Sequence, residues 1–187
     1  MKIGVLGDTH VPDLLAEIPA RVLDVLQGVD IILHVGDITR LSVLQQLEPI
    51  AQTFAVYGEQ DSPEVKKYLQ ASQRLEFADR SIGLIHGDQA WNTHWLTRAQ
   101  MRFSRTRRDQ VLRAFVLREF AGVDVIVYGH THAPYIKMHN GVLLFNPGTT
   151  LPRAGQSGSV GMLEVNRNSL KGKIIPIEFE NIASRTP

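Results

Sequence analysis

The sequence predicts an α/β fold of two packed sheets with helices on their outer faces. Three observations carry that prediction. The first third of the chain alternates short apolar runs with stretches of helical period, the pattern of strand–helix–strand units with parallel pairing. The later part turns to apolar runs paired across short polar turns, the pattern of hairpins. Five apolar runs also end in a glycine beside a ligand-type residue: Asp8 with His10, Asp37, Glu59 with Asp61, His86, and His130 with His132.

Taken in order, residues 3–6 form a short apolar run closed by Gly7, too short for a helix, and read as a buried strand. Residues 12–19 carry prolines at both ends and read as a loop into a helix over 20–27, with Val22, Leu23, Val25 and Leu26 on its apolar face and Gly28 as its stop. A strand over 31–35 follows. Thr39 is positioned to cap a helix reaching about 47, limited by Pro49. A strand over 53–57 leads to Ser62-Pro63-Glu64, a cap followed by proline at the first helical position. Residues 74–77 and 82–85 read as a hairpin about the turn 78–81. Beyond a helical stretch, a strand over 123–128 precedes two more hairpins: 135–139 with 142–145 about Asn140-Gly141, and 160–165 with 170–177. The domain is expected to span 1–180, with 181–187 a frayed tail.

Composition narrows the chemistry. With 187 residues, 43% of them hydrophobic, the chain fits one domain with a sizeable core. Without cysteine, any metal must be held by nitrogen and oxygen donors. No apolar run approaches the roughly 18 residues of a membrane span, and the start MKIGVLGD lacks the layout of a secretion signal. A cytoplasmic protein without membrane partners is expected. A formal charge of +1 argues against a broad nucleic-acid surface.

The strand-end residues carry the functional argument. A single Gly-Asp after a strand is ordinarily a turn or a cap. Several such ends carrying Asp, Glu and His are not explained as independent turns. Residues just past a strand's carboxyl end lie where open α/β sheets bind ligands. Period-two alternation would point Asp8 with His10, and His130 with His132, to common sides. The set reads as one polynuclear metal site.

In order and spacing, GDTH at 7–10, GD at 36–37, GEQD at 58–61, HG at 86–87 and GHTH at 129–132 resemble the calcineurin-like metallophosphoesterases. The small single-domain phosphodiesterases are the nearest subgroup, and the retromer subunit of the same fold is a cousin. The likeness runs from residue 1 to about 179 and includes NPGT at 146–149. It implies a four-layer α/β/β/α sandwich. It also implies a phosphodiesterase that hydrolyses phosphate esters with a hydroxide activated by two divalent metal ions. Manganese is the first candidate, with Fe, Zn, Co or Ni as alternatives. Asp8, His10 and His132 would hold one ion, His86 and His130 the other, and Asp37 would bridge them; all six would be catalytic. Glu59 stands where the family places an Asn ligand, and Gln60 stands where many relatives have a His, the proposed general acid; glutamine has no ionisable proton. Second partners are needed to fix the His86 and His130 tautomers, with Asp61 or His34 the candidates.

The stretch 89–119 is longer than in compact relatives and rich in arginine. Arg98, Arg102 and Arg105 share a helical face, and Asp109 is a candidate cap for a second helix that buries Val111, Leu112, Phe115 and Val116. One reading is a solvated helical hairpin. The other is substrate binding, with Arg98 and Arg102 gripping phosphate and Trp91 or Trp95 stacking on a base or capping the cleft. The expected partner is a small phosphate ester or nucleotide-like substrate, with self-association left open. A protein-interaction scaffold with a vestigial site is the alternative function.

Overall fold

The computed structural model describes residues 1–91, 104–151 and 157–178. Two five-stranded sheets face each other. The first has the order β10-β9-β1-β2-β3, from Ser169–Ile177, Gly158–Asn166, Lys2–Leu6, Ile31–His34 and Gln52–Ala55. The second has the order β4-β5-β6-β8-β7, from Ser72–Phe77, Arg80–Ile85, Val125–Tyr128, Val142–Asn146 and Tyr135–His139. Parallel pairing runs through β1, β2 and β3, and again through β5, β6 and β8. The remaining pairs are antiparallel. The expected order of early parallel units and later hairpins therefore holds.

Three apolar layers hold the sheets and helices together. Ile3, Val5 and Leu33 of the first sheet meet Ile82, Leu84, Val127 and Phe145 of the second in the central layer. Helices α1 (Ala20–Leu26), α2 (Ser42–Leu47) and α3 (Pro63–Tyr68) cover the outer face of the first sheet through Val22, Leu26, Val43, Leu47 and Val65. Helix α4 (Arg105–Glu119) covers the second sheet through Leu112 and Val116. The four-layer sandwich is thus observed. Among the described residues no helix is long and apolar enough to cross a membrane.

Two helix starts differ from expectation. Thr39 does not cap α2; its backbone sits at φ 72° and its N–H donates to Asp61 Oδ1 at 2.6 Å. Helix α4 begins before Asp109, because the Ser104 hydroxyl accepts from Arg107 N and supplies the cap. The Ala78-Asp79 turn is tighter than expected, with both residues at positive φ, so β5 gains Arg80 and Ser81.

Candidate metal centre

Every expected ligand follows the carboxyl end of a parallel strand. Asp8 and His10 follow β1, Asp37 follows β2, Glu59 lies beyond β3, His86 follows β5, and His130 and His132 follow β6. Asp8, His10, Asp37 and His86 are buried. Period-two alternation is not what brings them together. Asp8, His10, Asp37, His130 and His132 all have positive φ, between 48° and 71°. Left-handed backbone is unfavourable for residues with a Cβ, costing on the order of 1 kcal/mol each, and it collects at functional sites where the surroundings over-determine it. The chain coils sharply at each strand end and turns the side chains inward.

Ligand atoms of Asp8, His10 and His132 lie within 4.8 Å of one another, as do those of Asp8, Asp37 and His86. His132 Nε2 is 3.1 Å from Asp8 Oδ1, and the His10 and His132 rings stack with centroids 5.5 Å apart. His130 Nδ1 is 3.3 Å from His86 Nε2 and 3.8 Å from Glu59 Oε1. The two three-residue groups share Asp8. Asp37 instead has Oδ2 at 3.4 Å from His86 Nε2 and Oδ1 accepting from Gln60 N at 2.9 Å. His130 and Glu59 join neither group, and the Glu59 side chain is 46% exposed. Asp8 Oδ2 is buried with no hydrogen-bond partner among the described residues. A buried carboxylate oxygen facing imidazoles suits a cation, so these donors fit a divalent metal.

The partners that orient these groups are not the expected ones. His86 Nδ1 lies 2.8 Å from the Val35 carbonyl oxygen, which only accepts, so Nδ1 carries its hydrogen and Nε2 faces the site. The Trp91 indole N–H donates to His130 Nε2, with ring centroids 5.0 Å apart. His34 acts at a distance instead. Its Nδ1 accepts from Gly36 N at 3.2 Å, its Nε2–H donates to Thr9 Oγ1 at 3.2 Å, and that hydroxyl donates to the Asp37 carbonyl at 3.4 Å. Burial holds His34 neutral, down to about 3. Asp61 grips backbone rather than histidine, accepting from Gly58 N at 2.7 Å, Asp37 N at 3.1 Å and Thr39 N at 2.6 Å.

Sequence reading attached no role to two residues of NPGT that brace the site. Buried Asn146 donates through Nδ2 to the Gly129 carbonyl at 3.0 Å and to Thr131 Oγ1 at 3.2 Å, fixing the histidine loop. Thr149 Oγ1 donates to the Asp8 carbonyl at 3.0 Å. Their signal was a polar Asn ending an apolar strand. Gly58 is required by crowding, since a Cβ there would lie 2.2 Å from Asp37 Oδ1. Arg98 and Arg102 lie outside the described residues.

The electrostatics couple Asp37 to His86. Burial opposes ionisation of Asp37, but contact with His86 overrides it and lowers the carboxyl to about 2. Burial likewise opposes protonation of His86, and the Asp37 contact raises it to about 9. Burial, aided by His86, pushes His130 down to about 4. A folded value above the ordinary 6.5 means that His86 contributes its full stability below about pH 6.5 and loses it as pH rises through about 9. Metal-depleted protein is therefore expected to lose thermal stability between those pH values, and His86→Gln should flatten the slope in a chelated melting series. An equal slope in the variant would assign the dependence elsewhere.

Parallel strand ends from two facing sheets thus bring buried carboxylates and imidazoles together in groups able to hold a metal ion. The chain belongs to the calcineurin-like phosphoesterase superfamily, whose domain profile matches residues 1–168. A probable metallophosphoesterase of Methanocaldococcus jannaschii is 37% identical, the match covering 95% of this chain and 82% of the relative. A phosphodiesterase of the same organism is 25% identical over 91% of this chain and 97% of its own. The solved structure of Entamoeba histolytica Vps29 complexed with zinc shares the fold at TM-score 0.68 and 24% identity, covering 94% of this chain and 99% of that one.

Proposed function

We propose that the chain hydrolyses phosphodiesters at a centre of two divalent ions. The observation that supports this reading is two overlapping three-residue groups that share Asp8, each with its atoms within 4.8 Å, together with His130 Nδ1 at 3.3 Å from His86 Nε2. Asp8, His10 and His132 would hold one ion, His86 and His130 the other, with Asp37 between them and Glu59 beside the second. Such nitrogen and oxygen donors suit Mn, and also Fe, Zn, Co or Ni. Bound there, the ions supply Lewis acidity, offsetting charge on the phosphoryl group and making water acidic enough to attack phosphorus near neutral pH. The chain's part is to orient. The Val35 carbonyl holds the His86 ring, while Asn146, Thr149 and Asp61 hold the loops. Trp91 would cap the cleft beside His130, and Arg98 and Arg102 would grip the ester's phosphate. Gln60 cannot protonate a leaving group, which favours esters whose alcohol leaves as a stable anion.

The scaffold alternative gives no reason to bury Asp8 and Asp37 among four histidines. The test is hydrolysis of a chromogenic phosphodiester against its monoester, with bound metal counted in the same sample. Metal-loaded protein that cleaves neither ester would defeat the reading.

Glu59 departs from the family's Asn, and the charge count changes with it. Burial and then the Asp37 carboxylate raise its pKa, so it already feels the site's negative charge. Two divalent ions bring about +4; Asp8, Asp37, Glu59 and one hydroxide leave about zero, against about +1 with an Asn. Glu59→Asn is therefore expected to weaken metal affinity while raising turnover at saturating metal. A metal titration of turnover for parent and variant checks this. A variant no faster at saturation would show that Glu59 does not act on the ions.

A further inference from the structure

A small cleft opens between α4 and the histidine loop. Thr131, which stands between His130 and His132, forms one wall. Asp109 and Arg113 of α4, Tyr128 at the end of β6 and Tyr135 at the start of β7 also line the cleft, beside apolar Leu112, Ala133 and Pro134. The cavity thus shares a loop with the candidate metal centre. Arg113 lies across the Tyr135 ring, its Cζ 4.7 Å from the centroid.

Arg113 is half-buried, yet it joins none of the ion pairs formed among the described residues. Asp109 stands one helical turn earlier and lines the same cavity, but does not close on it. Withdrawing a guanidinium from water is costly unless an anion meets it. Its planar fork suits a carboxylate or phosphate bidentately, and stacking on Tyr135 fixes the plane of that fork. Asp109 repels an anion on its own side and suits a hydrogen-bond donor there.

The geometry points to a specificity subsite for one arm of a phosphodiester, an arm ending in an anionic oxygen group that Arg113 receives. This rests on the phosphodiesterase reading and narrows its substrate class. The anionic group is a carboxylate or a second phosphate, and the two are separable by experiment.

The test compares 4-nitrophenyl ethyl phosphate with its 2-carboxyethyl and 2-phosphoethyl counterparts, using metal-loaded protein. At least one anionic arm is expected to raise kcat/KM about tenfold or more over the ethyl ester, and the better of the two identifies the group. In Arg113→Gln that ratio should fall to about one, and in Arg113→Lys, which keeps charge without the fork, to an intermediate value. If Arg113→Gln does not fold, the drop in Arg113→Lys decides. A parent ratio within about threefold, or a ratio unchanged in the variants, overturns the subsite while leaving the phosphodiesterase reading intact. If no diester is cleaved, that reading fails, and calorimetric binding of ethyl methyl phosphate against 2-carboxyethyl methyl and 2-phosphoethyl methyl phosphate judges the subsite alone. The same tenfold preference, lost in Arg113→Gln, is expected there. Equal binding would overturn it.

Discussion

Asp37→Ala is expected to lower kcat/KM for a chromogenic phosphodiester by more than about 100-fold, beyond the range typical of removing a group one contact further from a metal. Three observations set that size. The carboxylate is buried at 1% exposure, lies 3.4 Å from His86 Nε2, and is held ionised down to about 2. Removing it takes away a negative charge proposed to lie between two cations and leaves His86 without the neighbour that raises its pKa. Steady-state kinetics at saturating metal would measure the loss. Activity within about tenfold of the parent, roughly 1.4 kcal/mol in barrier, would show that Asp37 does not stand between the ions.

Asp61→Ala is expected to cost on the order of 3 kcal/mol of stability, because one buried carboxylate satisfies three backbone N–H groups that have no other acceptor among the described residues. Those donors belong to Asp37, Thr39 and Gly58, so the same change frees the loop carrying Asp37. Activity should fall with stability, and Asp61→Asn, which keeps one accepting oxygen, should recover part of both. Chemical denaturation of the three proteins, each with a metal titration, would measure the two effects. A stable Asp61→Ala variant with unchanged metal affinity would show that the loop is held by other contacts.

The layers were legible because each strand carries its own signal. Residues 3–6 and 31–34 are short apolar runs, and Asn140-Gly141 marks its hairpin by turn chemistry alone. The ligand-type residues were legible for a related reason: each follows its strand within a few positions. How they converge was not. Asp8 and His10 share a site through left-handed backbone, and a non-glycine residue at positive φ leaves no mark in composition or periodicity. Orienting groups were the least visible. The Val35 carbonyl that fixes His86 could belong to any residue type, and Trp91 reaches His130 from 39 positions away. Asp61 was singled out by position but given the wrong partners, since its carboxylate turns to backbone donors. Arg113 is one arginine among several in the sequence; its cavity exists only once α4 lies against the histidine loop.

Metal removal tests the central claim most directly. The protein is stripped with a chelator, its metal content is counted, and a divalent metal is titrated back while diester hydrolysis and melting temperature are followed together. The account predicts negligible activity after stripping, recovery as about two ions bind per chain, and a melting temperature that rises with free metal because the ions bind the folded state alone. Stripped protein that still hydrolyses the diester at the original rate would contradict it.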